Sequence, residues 1–166
     1  MCELNLKDIL CDFAEDLNVL CEEKDIRFTL DATQDILVRG DRYKLRELIL
    51  NLVDNAVKYT PVRGAIYVSL VSSDGHAVIS VRDTGAGIAP EHLPRLFERF
   101  YRVDASIPGS GLGLAICRRI ATLHGGRMEV ESVFGKGSDF RLILPLLSLC
   151  SGPVEGHEQE QQAYEE

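Results

Sequence analysis

The sequence predicts a two-layer α/β sandwich: a mixed, mostly antiparallel sheet covered on one face by helices. Three observations carry this expectation. Two hairpin signals are written in full, AIYVSLV and AVISVRD around SSDG, then RMEVES and SDFRLILP around Phe134-Gly135-Lys136-Gly137. Between and before them lie stretches whose apolar residues recur at helical spacing. The chain has 166 residues, 45% hydrophobic and 27% charged, which is the length and balance of one ordinary globular domain.

In chain order, Leu6, Ile9, Leu10, Phe13, Leu17 and Leu20 predict one amphipathic helix of about 16 residues. Short strands are expected over about 27–30 and 36–39. Asp41 is placed to cap a second helix that runs to about Tyr59, where Thr60-Pro61 and Gly64 end it. The first hairpin follows, then a loop from Asp83, a short helix over about 91–97 and another over about 112–123. His124-Gly125-Gly126 closes that last helix, with His124 as its C-terminal cap. The second hairpin completes a domain over residues 1–148. Residues 149–166 are expected to form an acidic, disordered tail, because SGPVEGHEQEQQAYEE has almost nothing to bury.

Eighteen Lys and Arg against 26 Asp and Glu give a formal net charge of −8, which argues against a nucleic-acid binder. The charge is uneven. Residues 1–41 hold eleven acids and four bases, 42–150 ten and fourteen, and 151–166 five and none. The middle block is therefore the one suited to an anionic ligand. The five cysteines, Cys2, Cys11, Cys21, Cys117 and Cys150, are odd in number with no C-x-x-C pair, so free thiols in a reducing cytoplasm are expected. No segment reaches the roughly 18 apolar residues of a membrane span. A cytoplasmic domain is expected, with a parent protein that could be anchored in a membrane.

Three segments carry chemistry. On the second predicted helix Leu45, Leu48, Ile49, Leu52, Val53 and Ala56 form a core stripe, while Glu47, Asn51, Asn55 and Lys58 line another face. Two asparagines are unusual on a merely solvated helix face. A neutral oxygen donor suits a metal held beside phosphates, and Mg²⁺ takes oxygen ligands while keeping phosphates and waters. The second segment, Asp83-Thr84-Gly85-Ala86-Gly87-Ile88, ends a strand with an acid that can accept from an exocyclic amine and glycines that let a ligand come close. The third, Gly109-Ser110-Gly111-Leu112-Gly113-Leu114, runs into a helix whose free amides make an anion site. A dinucleotide fingerprint fails here, because LFERFYRVDASIP rather than a strand precedes it and the spacing is G-x-G-x-G. No Gly-Lys-Ser/Thr follows, so it is no Walker loop either.

Taken in order, NLVDNAVKYTP, DTGAGI, LFERFYRVD and GSGLGLAI resemble the N, G1, F and G2 boxes of sensor histidine kinases. Those kinases belong to the gyrase/Hsp90/histidine-kinase/MutL ATPase superfamily, with its Bergerat nucleotide-binding fold. The resemblance covers about residues 3–146 and implies the catalytic, ATP-binding domain of a two-component sensor kinase. By similarity, Asn55 binds Mg²⁺ that bridges the ATP phosphates, and Asn51 supports the metal or the phosphates. Lys58 contacts phosphate, with Tyr59 packed or hydrogen-bonded nearby. Asp83 accepts from the adenine amino group, with Gly85, Gly87 and Ile88 shaping the loop around the base and Ser138 supplying a hydroxyl beside that aspartate. Arg102 reaches toward the γ-phosphate, and the amides around Gly111, Leu112, Gly113 and Leu114 cradle the phosphates.

Asn51 stands where gyrase-like and Hsp90-like members of the superfamily place a water-activating Glu. It is a poor base, which favours keeping the γ-phosphate for a histidine over spending it on water. The resemblance departs from its pattern twice. No histidine here fits the phosphoacceptor box: His92 is followed at once by Leu93-Pro94, His76 lies in a hairpin and His157 in the tail. The acceptor is thus expected on a separate dimerising helical hairpin, with transfer onward to a response regulator, and this chain is expected to be monomeric and unable to autophosphorylate alone. The lid is also short, with only Ala105-Ser106-Ile107-Pro108 between Asp104 and Gly109. An anti-sigma-type serine kinase and a non-catalytic ATP-binding module of the same fold are the alternatives.

Overall fold

A computed structural model describes residues 1–147. The expected tail, and the boundary at 148, lie outside the described residues. The elements run β1 (Cys2–Asn5), α1 (Leu6–Asp12), α2 (Ala14–Glu22), β2 (Arg27–Asp31), β3 (Leu37–Gly40) and α3 (Arg42–Tyr59). They continue with β4 (Ala65–Ser73), β5 (His76–Asp83), a 3₁₀ helix (Pro90–Arg95), α4 (Gly113–Leu123), β6 (Arg127–Val133) and β7 (Gly137–Pro145). The main sheet has five strands in the order β2-β4-β5-β7-β6, antiparallel throughout except for the parallel β2–β4 pair. This is the mixed, mostly antiparallel α/β sandwich that the sequence predicts.

Helix α3 starts where its cap predicts. Asp41 accepts from the amides of Tyr43 (3.0 Å) and Lys44 (3.1 Å), satisfying two of the donors a helix start leaves open. Its whole expected stripe, Leu45 through Ala56, is buried against the sheet. Asn51 and Asn55 flank that stripe and are half-buried, facing the site described below. The β4–β5 hairpin turns on Asp74 (φ 51°) and Gly75 (φ 76°), the left-handed pair that matches the twist of its strands.

The structure departs from the sequence expectation in three places. The single N-terminal helix is two, broken at Phe13 (φ −123°), whose buried ring lies beneath the Arg46 guanidinium at 5.0 Å. The apolar spacing continues through the break, so periodicity could not reveal it. Strand β1 is an addition; it pairs antiparallel with β3 in a separate two-stranded sheet. Third, the helix expected over 91–97 is a 3₁₀ helix containing Pro94, whose missing N–H cannot sustain an α-helical ladder.

His124 is a buried structural residue. Its Nδ1–H donates to the Ile120 carbonyl (2.7 Å), and Nε2 accepts from the Asp41 amide (3.0 Å). One imidazole therefore closes α4 and ties it to the start of α3, beyond the capping role that its place in the sequence predicts.

Thr60 follows α3 and is fully buried, and its Oγ1 is, among the described residues, a buried side-chain oxygen with no hydrogen-bond partner. Replacing it with the similarly shaped valine removes the desolvation cost of that hydroxyl. Thr60→Val is expected to stabilise the fold by about 1 kcal/mol, read as a rise of about 2–4 °C in Tm. A lower Tm would mean that the hydroxyl is satisfied in solution.

Candidate functional site

The asparagine face of α3, the loop after β5 and the start of α4 enclose a cavity of about 380 Å³. Asn51, Asn55, Lys58 and Tyr59 enter it from α3, Asp83, Gly87 and Ile88 from the strand end and its loop, and Ser138 from β7. Arg102 and Gly111, Leu112, Gly113 and Leu114 close the remaining side. Of the residues that the resemblance assigns to the nucleotide, Gly85 alone does not line the cavity, and Glu47, on the same predicted helix face as the asparagines, does not line it either. A Cβ on Gly85 would strike the Tyr59 carbonyl, and the Gly85 amide donates to Asp83 Oδ1 at 2.9 Å. Gly85 thus serves the loop's packing and holds the aspartate.

Strand geometry explains where Asp83 points. Side chains alternate faces, so Ile79, Val81 and Asp83 share one face of β5, and the first two are buried in the core. The β5–β7 register sets Asp83 opposite Ser138. Asp83 is only 6% exposed, and both of its backbone donors, the Gly85 amide and the Ser138 amide (3.3 Å), land on Oδ1. Burial pushes its carboxyl above the ordinary carboxylate range, against the pull of those two amides. Oδ2 makes no hydrogen bond with the described residues, so it is the atom left to accept from a ligand donor.

At the other end, Lys58 pairs with Asp54 one turn earlier (3.0 Å), leaving an ammonium at the cavity edge. Lys24 Nζ donates to the carbonyls of Val57 (2.8 Å) and Lys58 (3.3 Å), neutralising the C-terminal end of α3. A Cβ on Gly113 would stand 3.8 Å from Asn51 Oδ1, which places the start of α4 directly against the asparagine face of α3. The first bond inside α4 is made by the Ile116 amide to the Leu112 carbonyl (2.9 Å), so the Gly113 and Leu114 amides stand ahead of it, free for an anion. The Leu112 amide is not free; it donates to Ser110 Oγ at 3.2 Å.

The lid folds back on itself. The Arg102 guanidinium donates to the carbonyls of Ala105 (3.3 Å) and Ile107, while Asp104 accepts from the amide (2.9 Å) and hydroxyl (2.6 Å) of Ser106. Those Ser106 bonds lower the Asp104 pKa. Gly111 (φ 75°) allows its carbonyl to accept from the Phe100 amide at 2.9 Å, which anchors the far end of the lid. Cys117, buried behind the site, has its thiol pushed up to about 12 by burial and is no nucleophile.

Sequence reasoning missed Ser132. It sits on β6 directly opposite Ser138, and its Oγ contacts Ser138 Oγ (2.8 Å), the Ile88 amide (2.8 Å) and the Gly137 carbonyl (3.0 Å). The signal was available in the second hairpin's register. Asp54 and Tyr101, which line the cavity itself, were likewise passed over.

A helix start with open amides, a neutral oxygen face and a buried acceptor around one cavity define an ATP-binding α/β domain. The family described as "Histidine kinase-, DNA gyrase B-, and HSP90-like ATPase" matches residues 40–148, and the chain belongs to it. It is 44% identical over 136 residues to the phosphate regulon sensor protein PhoR of Pseudomonas aeruginosa, covering 80% of this chain and 31% of that protein. It is 39% identical over 150 residues to the adaptive-response sensory kinase SasA of Thermosynechococcus vestitus, covering 88% and 40%. The chain thus spans about a third of the length of these curated relatives. Among solved structures, the mycobacterial sensor histidine kinase MprB superposes with a TM-score of 0.77 at 32% identity, over 87% of this chain and 97% of that one. Full-length ShkA, solved in complex with AMPPNP, gives 0.75 at 33% identity, over 86% and 30%. This chain is a histidine kinase ATPase catalytic domain, homologous to that part of PhoR, SasA and MprB. Among the described residues no helix is long and apolar enough to cross a membrane.

Proposed function

We propose that this domain binds Mg-ATP in the cavity and delivers the γ-phosphate to a histidine on a dimerisation domain outside this chain, for relay to a response-regulator aspartate. One observation carries the reading: the asparagine face of α3, the carboxylate of Asp83 and the open amides of α4 all converge on one cavity. Asp83 Oδ2 accepts from the adenine amino group, Gly87 lets the base lie close, Ile88 flanks it, and Tyr59 packs beside Lys58 near the phosphates. Lys58, Arg102 and the amides of Gly113 and Leu114 meet the phosphates.

The donor set fits magnesium. Asn55 supplies a neutral oxygen and Asn51 a second one a turn earlier, while the described residues contain no group of three or more His, Cys, Asp or Glu able to hold a metal by themselves. An ion shared with phosphates and waters is what such a site can hold. When bound, Mg²⁺ neutralises charge on the β- and γ-phosphates. The free nitrogen lone pair of the neutral acceptor imidazole forms the new N–P bond while the bond from the γ-phosphorus to the bridging oxygen breaks; ADP leaves with that electron pair, and the proton on the other ring nitrogen passes to solvent. Asn51 does not abstract a proton from water, which keeps hydrolysis slow.

The short lid buries little of the nucleotide, so Mg-ATP is expected to bind in the tens to hundreds of micromolar, about −5 to −6 kcal/mol. The transfer itself is tested by mixing the domain, [γ-³²P]ATP and the separately expressed histidine-bearing hairpin of a relative such as PhoR. Acid-labile, base-stable label on the hairpin histidine is expected, with none on this chain alone. Label on serine, or sub-micromolar affinity by calorimetry, would contradict the acceptor and the lid readings respectively.

A further inference from the structure

Asp83, Ser138 and Ser132 form a single cross-strand row. The registers set Asp83 opposite Ser138 and Ser138 opposite Ser132, so all three side chains share the core face of the sheet. Along each strand the same face continues into apolar residues: Val81 on β5, Phe140 on β7, Val130 on β6. A polar row at the end of three apolar columns has few partners, so its hydrogens can be counted.

A serine hydroxyl has one hydrogen and two lone pairs. At Ser132 one lone pair takes the Ile88 amide (2.8 Å), which can only donate. Its hydrogen goes to the Gly137 carbonyl (3.0 Å), which can only accept. The 2.8 Å contact with Ser138 Oγ must then be filled by Ser138 as donor. The Ser138 hydrogen is thereby turned away from the cavity, and beside Asp83 the row presents only acceptors. From this geometry we propose that Ser132 is a positioning residue that sets base selectivity: by fixing the Ser138 hydrogen, it makes the site favour a 6-amino purine over a 6-oxo purine.

The inference rests on the reading of Asp83 as the base acceptor. A 6-amino group can donate into this corner, whereas a 6-oxo group brings a further acceptor against two others. Without the Ser132 hydroxyl, the Ser138 hydrogen is free to swing into the cavity and donate to a ring carbonyl.

Calorimetric titration with Mg-ATP and Mg-ITP, its 6-oxo counterpart, tests this on the wild type, Ser132→Ala and Ser132→Thr. The wild type is expected to prefer ATP, Ser132→Ala to narrow that preference about tenfold, and Ser132→Thr, which keeps the hydroxyl, to retain it. Should Ser132→Ala fail to fold by circular dichroism, Ser132→Cys, whose sulfur is a weak acceptor for the Ser138 hydroxyl, is read in its place with the same expectation. Equal weakening of both nucleotides with an unchanged ratio would reduce Ser132 to a tether for Ile88 and overturn the inference. So would a wild type without preference, or loss of preference in Ser132→Thr. A wild type that binds neither nucleotide would instead overturn the ATP reading itself.

Discussion

Asn55→Ala is expected to abolish the magnesium dependence of ATP binding. Asn55 is half-buried on the cavity face of α3, a turn from Asn51, on the flank of the core stripe and outside it. Truncation therefore removes a ligand without opening the core. A metal shared between one side chain, phosphates and waters has few protein contacts to lose, so loss of one oxygen has a large effect. Calorimetry with Mg²⁺ and with EDTA reads the effect. The wild type should bind at least about tenfold more tightly with the metal, and the variant should give the same weak affinity in both conditions. Retained magnesium dependence would remove Asn55 as the ligand.

The second large effect is expected at Asp83→Asn, and it has opposite signs for binding and for stability. The amide keeps an oxygen for the Gly85 and Ser138 amides, but its NH₂ group puts a donor where the adenine amino group needs an acceptor. Discrimination of ATP from GTP should fall by about tenfold or more. The unliganded fold, however, should gain. Burial raises the Asp83 pKa in the folded state, so the folded protein holds this proton more tightly than the unfolded chain does. Ionised Asp83 therefore destabilises the fold. That cost is absent below the unfolded pKa and fully present above the folded one. At neutral pH Asp83→Asn should melt higher than the wild type, and the difference should shrink as pH falls through the carboxylate range. Unchanged selectivity would defeat the assignment of Asp83 to the base; a lower neutral-pH Tm would defeat the account of its burial.

Helix α3 was legible because its signals are local: the Asp41 cap, the stripe from Leu45 to Ala56, and the asparagines at a fixed angle from it. The hairpins were legible for the same reason, through Asp74-Gly75 and the alternation of their strands. β1 was not, because the alternation of CELN runs for only four residues and its partner, β3, lies more than thirty residues later. The break at Phe13 leaves no trace in spacing. Within the site, residue types announced chemistry but not partners. DTGAGI marked a ligand loop, yet only the fold separates Gly87, on the cavity, from Gly85, packed on the Tyr59 carbonyl. Arg102 carries the charge that a phosphate site needs, while its bonds to the Ala105 and Ile107 carbonyls, which fold the short lid back on itself, depend on a loop path that composition does not encode.

The central claim is that one cavity receives the nucleotide, with the base at Asp83 and the phosphates between Asn55 and the start of α4. Its most direct test is a ¹H–¹⁵N NMR titration of the labelled domain with Mg-AMPPNP. Saturable shifts are expected at the amides of Gly87, Ile88, Gly113 and Leu114 and at the side-chain amides of Asn51 and Asn55, with the Arg118–Leu123 end of α4 left in place. Shifts scattered away from these groups, or none at millimolar nucleotide, would contradict that claim.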